Sequence, residues 1–216
     1  MGINYKITEK QLAFLEGFLN RKYPEISNET RIELIDHLIS DFEATTENGN
    51  LSQYLSNELA FIRKFVFNRV SKVKKSYSKE TWNQFFRFFT NIKLIPITIS
   101  VILLFYFLNG NFSNKIGYLT LLISQIIIFG YSVFSGMINK KELKNLDEVK
   151  FLGADIWLSF VLVQFLGESH IRELIISNAI IFTIYASFII IHGLAANMVL
   201  KKHKKIILEK YKHLLN

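Results

Sequence analysis

The sequence predicts an all-α fold, an N-terminal cytoplasmic three-helix domain followed by a four-helix transmembrane bundle, and three observations carry that expectation. Up to about Asn91 the apolar residues recur at helical spacing among charges, whereas from Ile92 onward they run in long blocks that no soluble core of this size needs. Half of the 216 residues are apolar, with 20 Phe and 9 Tyr among them. The formal charge of +8 is concentrated beside the apolar blocks, while residues 1–70 hold 8 Lys/Arg against 10 Asp/Glu. Base placed in that way points to membrane topology and anionic lipid rather than to nucleic acid.

Residues 1–75 form the expected cytoplasmic helical domain. Thr8 with Gln11 three residues later reads as a capping box, and Ile7 with Leu12 as the hydrophobic staple of a first helix running to about Lys22. Tyr23-Pro24 ends it. Ser27 is the N-cap expected for a second helix that stops before the Asn48-Gly49-Asn50 turn, and Ser52 begins a third carrying Leu55, Leu59, Ile62 and Val66 toward a shared core.

Lys72 to Ser78 is basic and polar and reads as a joint, with Ser78 capping the next helix. Residues 76–92 then form an interfacial helix that bears Trp82, Phe85, Phe86, Phe88 and Phe89 with Arg87, and with Lys93 just after it, the mixture that settles at a membrane surface. It leads toward the first span. The bundle occupies 93–200, with spans at about 93–108, 116–138, 151–166 and 174–200. A crossing takes about 20 residues, so the third span is short and the fourth is long enough to tilt or project. Pro96 lies in the first turns of span one, where its missing N–H is tolerated.

Cations are retained on the cytoplasmic side, and the loops discriminate clearly. Lys115 alone separates spans one and two, and Arg172 alone separates spans three and four. The connection from Asn139 to Lys150 holds Lys140, Lys141, Lys144 and Lys150, and residues 201–216 open with Lys201, Lys202, His203, Lys204 and Lys205. Both termini are therefore expected in the cytoplasm. The tail spaces Ile206, Ile207, Tyr211, Leu214 and Leu215 among lysines as a basic amphipathic helix does, suited to anionic lipid or to docking on the helical domain.

With no cysteine, disulfides, thiolate nucleophiles and cysteine metal sites are excluded. No basic start followed by a short apolar core marks a signal peptide, and Lys6 stands where N-myristoylation needs Ser or Thr. No phosphate-binding glycine loop, zinc spacing or repeat is evident, and no cofactor is expected. Glu168, Ser169 and His170 hold hydrolase residue types, but side chains adjacent in sequence do not converge.

Two groups of candidate residues remain. Glu33, His37 and Asp41 fall at i, i+4 and i+8 on the second helix, beside Asp36; they offer metal-competent atoms or, more simply, a solvated face with His37 paired to carboxylates. Asp155 and His192 are ionisable groups within spans, both near the same membrane face, where a charge at the bilayer centre would cost roughly 3 kcal/mol or more. Asp155 can pair with Lys150 or Lys141, or the two can meet each other. Gln125, Gln164, Asn178 and Asn197 supply polar contacts between helices, and Ser132 with Gly136 forms a small-xxx-small pair. Trp82, Arg87, Lys93, Lys201, Lys202, Lys204 and Lys205 form the expected lipid-surface set.

The segment from Arg31 to Glu43, with Glu33-Leu34-Ile35-Asp36-His37 at its centre, resembles a motif of a family of uncharacterised bacterial membrane proteins with a short N-terminal helical domain before several spans. It is similar, more distantly, to HAAS-type helical domains. The resemblance covers about residues 5–105; it implies a bacterial inner membrane and signalling or regulation, and carries over no catalytic residue. The expected function is thus a non-enzymatic regulatory or accessory membrane protein whose helical domain binds a protein partner. The alternative is a small oligomeric transporter or channel that uses Asp155 and His192.

Overall fold

The computed structural model describes residues 5–24, 26–112, 114–136, 138, 143 and 146–212. Among them there is helix, turn and bend but no strand. The fold class is all-α. The chain divides into two compact units, Met1–Val73 with Lys140–Lys150 and Lys74–Asn139 with Phe151–Asn216.

In the first unit, α1 (Glu9–Lys22) opens with the capping box intact: Thr8 accepts from the Gln11 backbone N–H while the Gln11 side chain accepts from that of Thr8. Ser27 caps α2 (Asn28–Thr45) by accepting from the backbone N–H of Thr30. The core gathers Leu15 and Leu19 of α1 with Leu34, Leu38 and Phe42 of α2, and Ile7 and Leu12 pack at its edge. Gly49, at φ +64°, turns the chain beneath the Tyr5 ring, and its carbonyl accepts from the Gln11 amide.

The third expected helix is two. Asn50, not Ser52, caps α3 (Leu51–Asn57) through its side chain, and the chain breaks at Glu58 before α4 (Leu59–Thr90). Leu51, Tyr54 and Leu55 of α3 and Ile62 and Val66 of α4 complete the core. The expected joint at Lys72 to Ser78 is helical, and Ser78 lies inside α4 rather than capping a helix. The physical reason is plain in the residues: no Gly or Pro occurs between Leu59 and Thr90, and lysines are good helix formers. The short α7 (Asp147–Lys150) also belongs to this unit.

The second unit is built around α10 (Ala179–Lys210), against which α5 (Ile95–Asn111), α6 (Asn114–Gly136), α8 (Ile156–Phe165) and α9 (Ser169–Ile176) pack. Phe182, Ala186, Ile189, Ile191 and Ala195 of α10 are buried, with Phe105 of α5, Leu121 of α6 and Val163 of α8 around them. Gly136 passes close to α10, where a Cβ would stand 2.7 Å from the Leu200 side chain, as the small-xxx-small reading implies. Leu103, Phe107, Ile126, Ile127 and Phe134 face outward. So much exposed apolar surface suits hydrocarbon as the surrounding solvent.

Two helices are long and apolar enough to cross a membrane, Lys115–Gly136 and Ala179–Lys210, and a third candidate arises if α4 and α5 count as one broken span. Those two helices bend by 83°, so α4 does not run straight on into the first expected span. At the corner Asn91 accepts from the Lys93 backbone N–H, Pro96 lies in the first turn of α5, and the Thr98 hydroxyl donates to the Phe88 carbonyl at 2.7 Å. The expected third span is helical only over the ten residues of α8, about 15 Å of rise, after turns through Gly153 at φ +82°. The expected fourth is interrupted at Ser177 and Asn178, whose side chain caps α10 by accepting from Ile180 and Ile181. From Lys201 to Lys210 the tail is no separate helix but the end of α10, with Ile207 buried, and Leu214 and Leu215 lie outside the described residues.

Candidate functional site

The polar groups of the second unit are gathered on α10 and the helices around it. The Thr81 hydroxyl on α4 donates to the Asp155 carboxylate at 3.1 Å, just before α8 begins. One turn along, Ser159 Oγ and His192 Nδ1 share a hydrogen bond of 2.7 Å. Asp155 and Ser159, the partner of His192, are thus one turn apart, and Asp155 and His192 are each bonded to a hydroxyl of another helix rather than to each other. The imidazole is buried among Trp82, Phe85 and Phe188, with the Trp82 ring centroid 5.1 Å away. Among the described residues its Nε2 has no hydrogen-bond partner. Whichever ring nitrogen carries the proton, one polar atom is left facing an apolar wall.

Nearby contacts serve packing. The Gln125 amide donates to the Ile189 carbonyl at 3.3 Å, and the Asn197 amide donates to the Ser132 hydroxyl at 2.8 Å. These join α6 to α10 as the sequence predicts for Gln125 and Asn197, whereas Asn178 is a helix cap. Gln164 is exposed.

A second cluster at the far end of α10 has no counterpart in the sequence reading. Lys202 Nζ and His203 Nε2 both reach the Glu80 carboxylate at 2.5 Å, and Tyr77 stacks edge-on against His203 with centroids 4.7 Å apart. Burial alone would raise the Glu80 carboxyl, but hydrogen bonds from Lys202 and His203 and their charges outweigh it and hold the group below the usual carboxylate range. The i, i+3 and i+4 rows that set Tyr77 and Glu80 opposite His203 need helix-to-helix register, which one sequence does not supply.

The lipid-surface set divides. Lys201 bonds the Tyr131 hydroxyl and lies 4.4 Å from its ring centre, Lys202 pairs with Glu80, and Lys204 donates to the Ser135 carbonyl at 2.7 Å. These three lysines are fastened to protein at the end of the bundle. Arg87, Lys93 and Lys205 are exposed, the last 3.9 Å from Glu209, and Trp82 is half-buried against His192.

In the first unit the acidic stripe on α2 does not assemble. Glu33 pairs with Arg69 at 3.4 Å, and His37 packs against the Phe61 ring, 4.9 Å between centroids, rather than pairing with a carboxylate. Asp41 accepts from the Tyr54 hydroxyl at 2.8 Å. Burial, followed by this bond and the charges of Asp41 and Glu58, pushes the Tyr54 phenol up. No group of three or more metal-competent side chains occurs among the described residues. Glu33, Asp36 and His37 are exposed on α2. Lys140, Lys141 and Lys144 lie outside the described residues.

Comparison with protein-family models, with curated proteins and with solved structures gave no match.

Proposed function

We propose that this is an integral membrane protein of regulatory or accessory type, non-enzymatic, whose cytoplasmic helical domain binds a protein partner. In this reading the apolar helices cross the membrane four times, with α8 and its preceding turns as the short crossing, and both termini lie in the cytoplasm of a bacterial inner membrane. The resemblance of Glu33 to His37 to helical domains of bacterial membrane proteins agrees with it.

The observation that carries the reading is that the first unit packs a core of its own, from Leu15 and Leu19 to Ile62 and Val66, while Glu33, Asp36 and His37 stay exposed on α2. A folded helical module with an exposed polar face suits protein binding. The transporter alternative is less well supported, because Asp155 and His192 already have partners in Thr81 and Ser159.

Affinity purification of the full chain in mild detergent, beside the Asp36→Arg/His37→Ala double variant, tests the proposal. A protein that co-purifies with the wild type and is lost from the variant is expected. The same set of proteins on both, or none above background, overturns the partner-binding role of this face.

A further inference from the structure

One side of the second unit holds a cleft of about 650 Å3 between α4 and the end of α10. Lys79, Asn83 and Arg87 line it from α4 at helical spacing, and Lys202 and Met198 from α10. Its floor is Gln84, only 9 % exposed, whose side-chain oxygen accepts from the Arg87 guanidinium at 3.4 Å. The amide nitrogen of Gln84 is turned to the Met198 sulfur at 3.4 Å, a weak acceptor that leaves most of its donor capacity unused.

Glu80, the one carboxylate on the wall among the described residues, is already matched by Lys202 and His203. A bound group therefore meets net positive charge and several N–H donors at once, the chemistry that holds a phosphate. Beside this row Phe86 and Phe89 are exposed, so cations and aromatic rings stand at one depth, as they do at the headgroup level of a bilayer. Met198 adds an apolar wall on which an acyl chain or glycerol backbone can lie.

We infer that the cleft lined by Lys79, Gln84, Arg87 and Lys202 is a discrete binding site for the phosphate headgroup of an anionic phospholipid. The inference goes beyond partner binding and rests only on α10 crossing the bilayer. It differs from general adhesion of a basic surface, because two named cations on α4 and a buried amide select the ligand, and the lysines beyond His203 take no part.

The test is native mass spectrometry of the full chain in detergent, titrated with phosphatidylglycerol, with phosphatidylcholine, and with soluble glycerol phosphate. Phosphatidylglycerol is expected to bind roughly tenfold or more tightly than phosphatidylcholine, and the Lys79→Ala/Arg87→Ala pair to remove that preference. Both residues are exposed, so the fold is retained, and Lys205→Ala/Lys212→Ala removes the same charge from exposed positions elsewhere as control. Equal binding of the two lipids overturns the site. An equal loss in the control pair also does so, since the attraction is then diffuse. Displacement of phosphatidylglycerol by equimolar glycerol phosphate overturns the lipid assignment in favour of a free phosphate ligand.

Discussion

Glu80 shows how one side chain fastens the end of the long central helix. Its carboxylate accepts from Lys202 and His203, and its pKa is depressed, so its stabilising contribution is full above the ordinary carboxylate value and is lost as the pH falls through the lowered one. The difference in thermal unfolding midpoint between wild type and Glu80→Gln in detergent is therefore expected to be largest near neutral pH and to shrink as the pH drops below about 4.5. A difference that stays constant into acid would remove the charge of Glu80 from the explanation. The sequence showed the lysines and placed them beside the membrane, but it did not show the protein acceptors that hold them. Their acceptors, Glu80, Tyr131 and Ser135, lie 69 to 122 residues away in the chain, and only the packed helices bring them close. His192 was legible as a buried ionisable group; its partner Ser159 was not, because a serine in an apolar run carries no local signal.

Helix boundaries were readable where a short-range rule sets them and not where tertiary packing does. Thr8 with Gln11 and Ser27 cap α1 and α2 as their spacing predicts, since each cap is made within three residues. The corner at Asn91 to Leu94 follows from the Asn91 side chain and Pro96, but its 83° angle, spanned by the Thr98 bond to the Phe88 carbonyl, is not given by any local rule. The polar stretch around Lys74 looked like a joint because polarity and flexibility often coincide; helix propensity prevails there. If α4 is continuous, Lys74→Pro removes an interior hydrogen bond and costs about 3 kcal/mol or more. The expected consequences are a lowered unfolding midpoint and faster amide exchange in the helical turns on either side of residue 74. Unchanged exchange across that segment would mean that the helix is broken there already.

At the scale of the molecule the two units differ in kind, and in the second an apolar exterior surrounds a core in which the polar groups of separate helices bond to each other. Leu103, Phe107, Ile126 and Phe134 face outward, while Ser132 with Asn197, Thr81 with Asp155 and Ser159 with His192 join helices inside. That inversion suits a bilayer, where a satisfied internal polar pair replaces water. The division between a charged amphipathic part and an apolar part was plain in the sequence, because it is written in composition over tens of residues. The number of crossings was less plain, since α8 is short and α9 breaks away from α10, and both are features of backbone geometry rather than of hydropathy.

The most direct measurement uses the absence of cysteine from the chain. Single variants Lys10→Cys, Lys115→Cys, Arg172→Cys and Lys212→Cys are expressed in bacterial cells and treated with a membrane-impermeant maleimide before and after permeabilisation. Four crossings with cytoplasmic termini predict that positions 115 and 172 label in intact cells and that positions 10 and 212 label only after permeabilisation. Labelling of 115 and 172 from different sides, or from the same side as 10 and 212, would contradict the four-span arrangement.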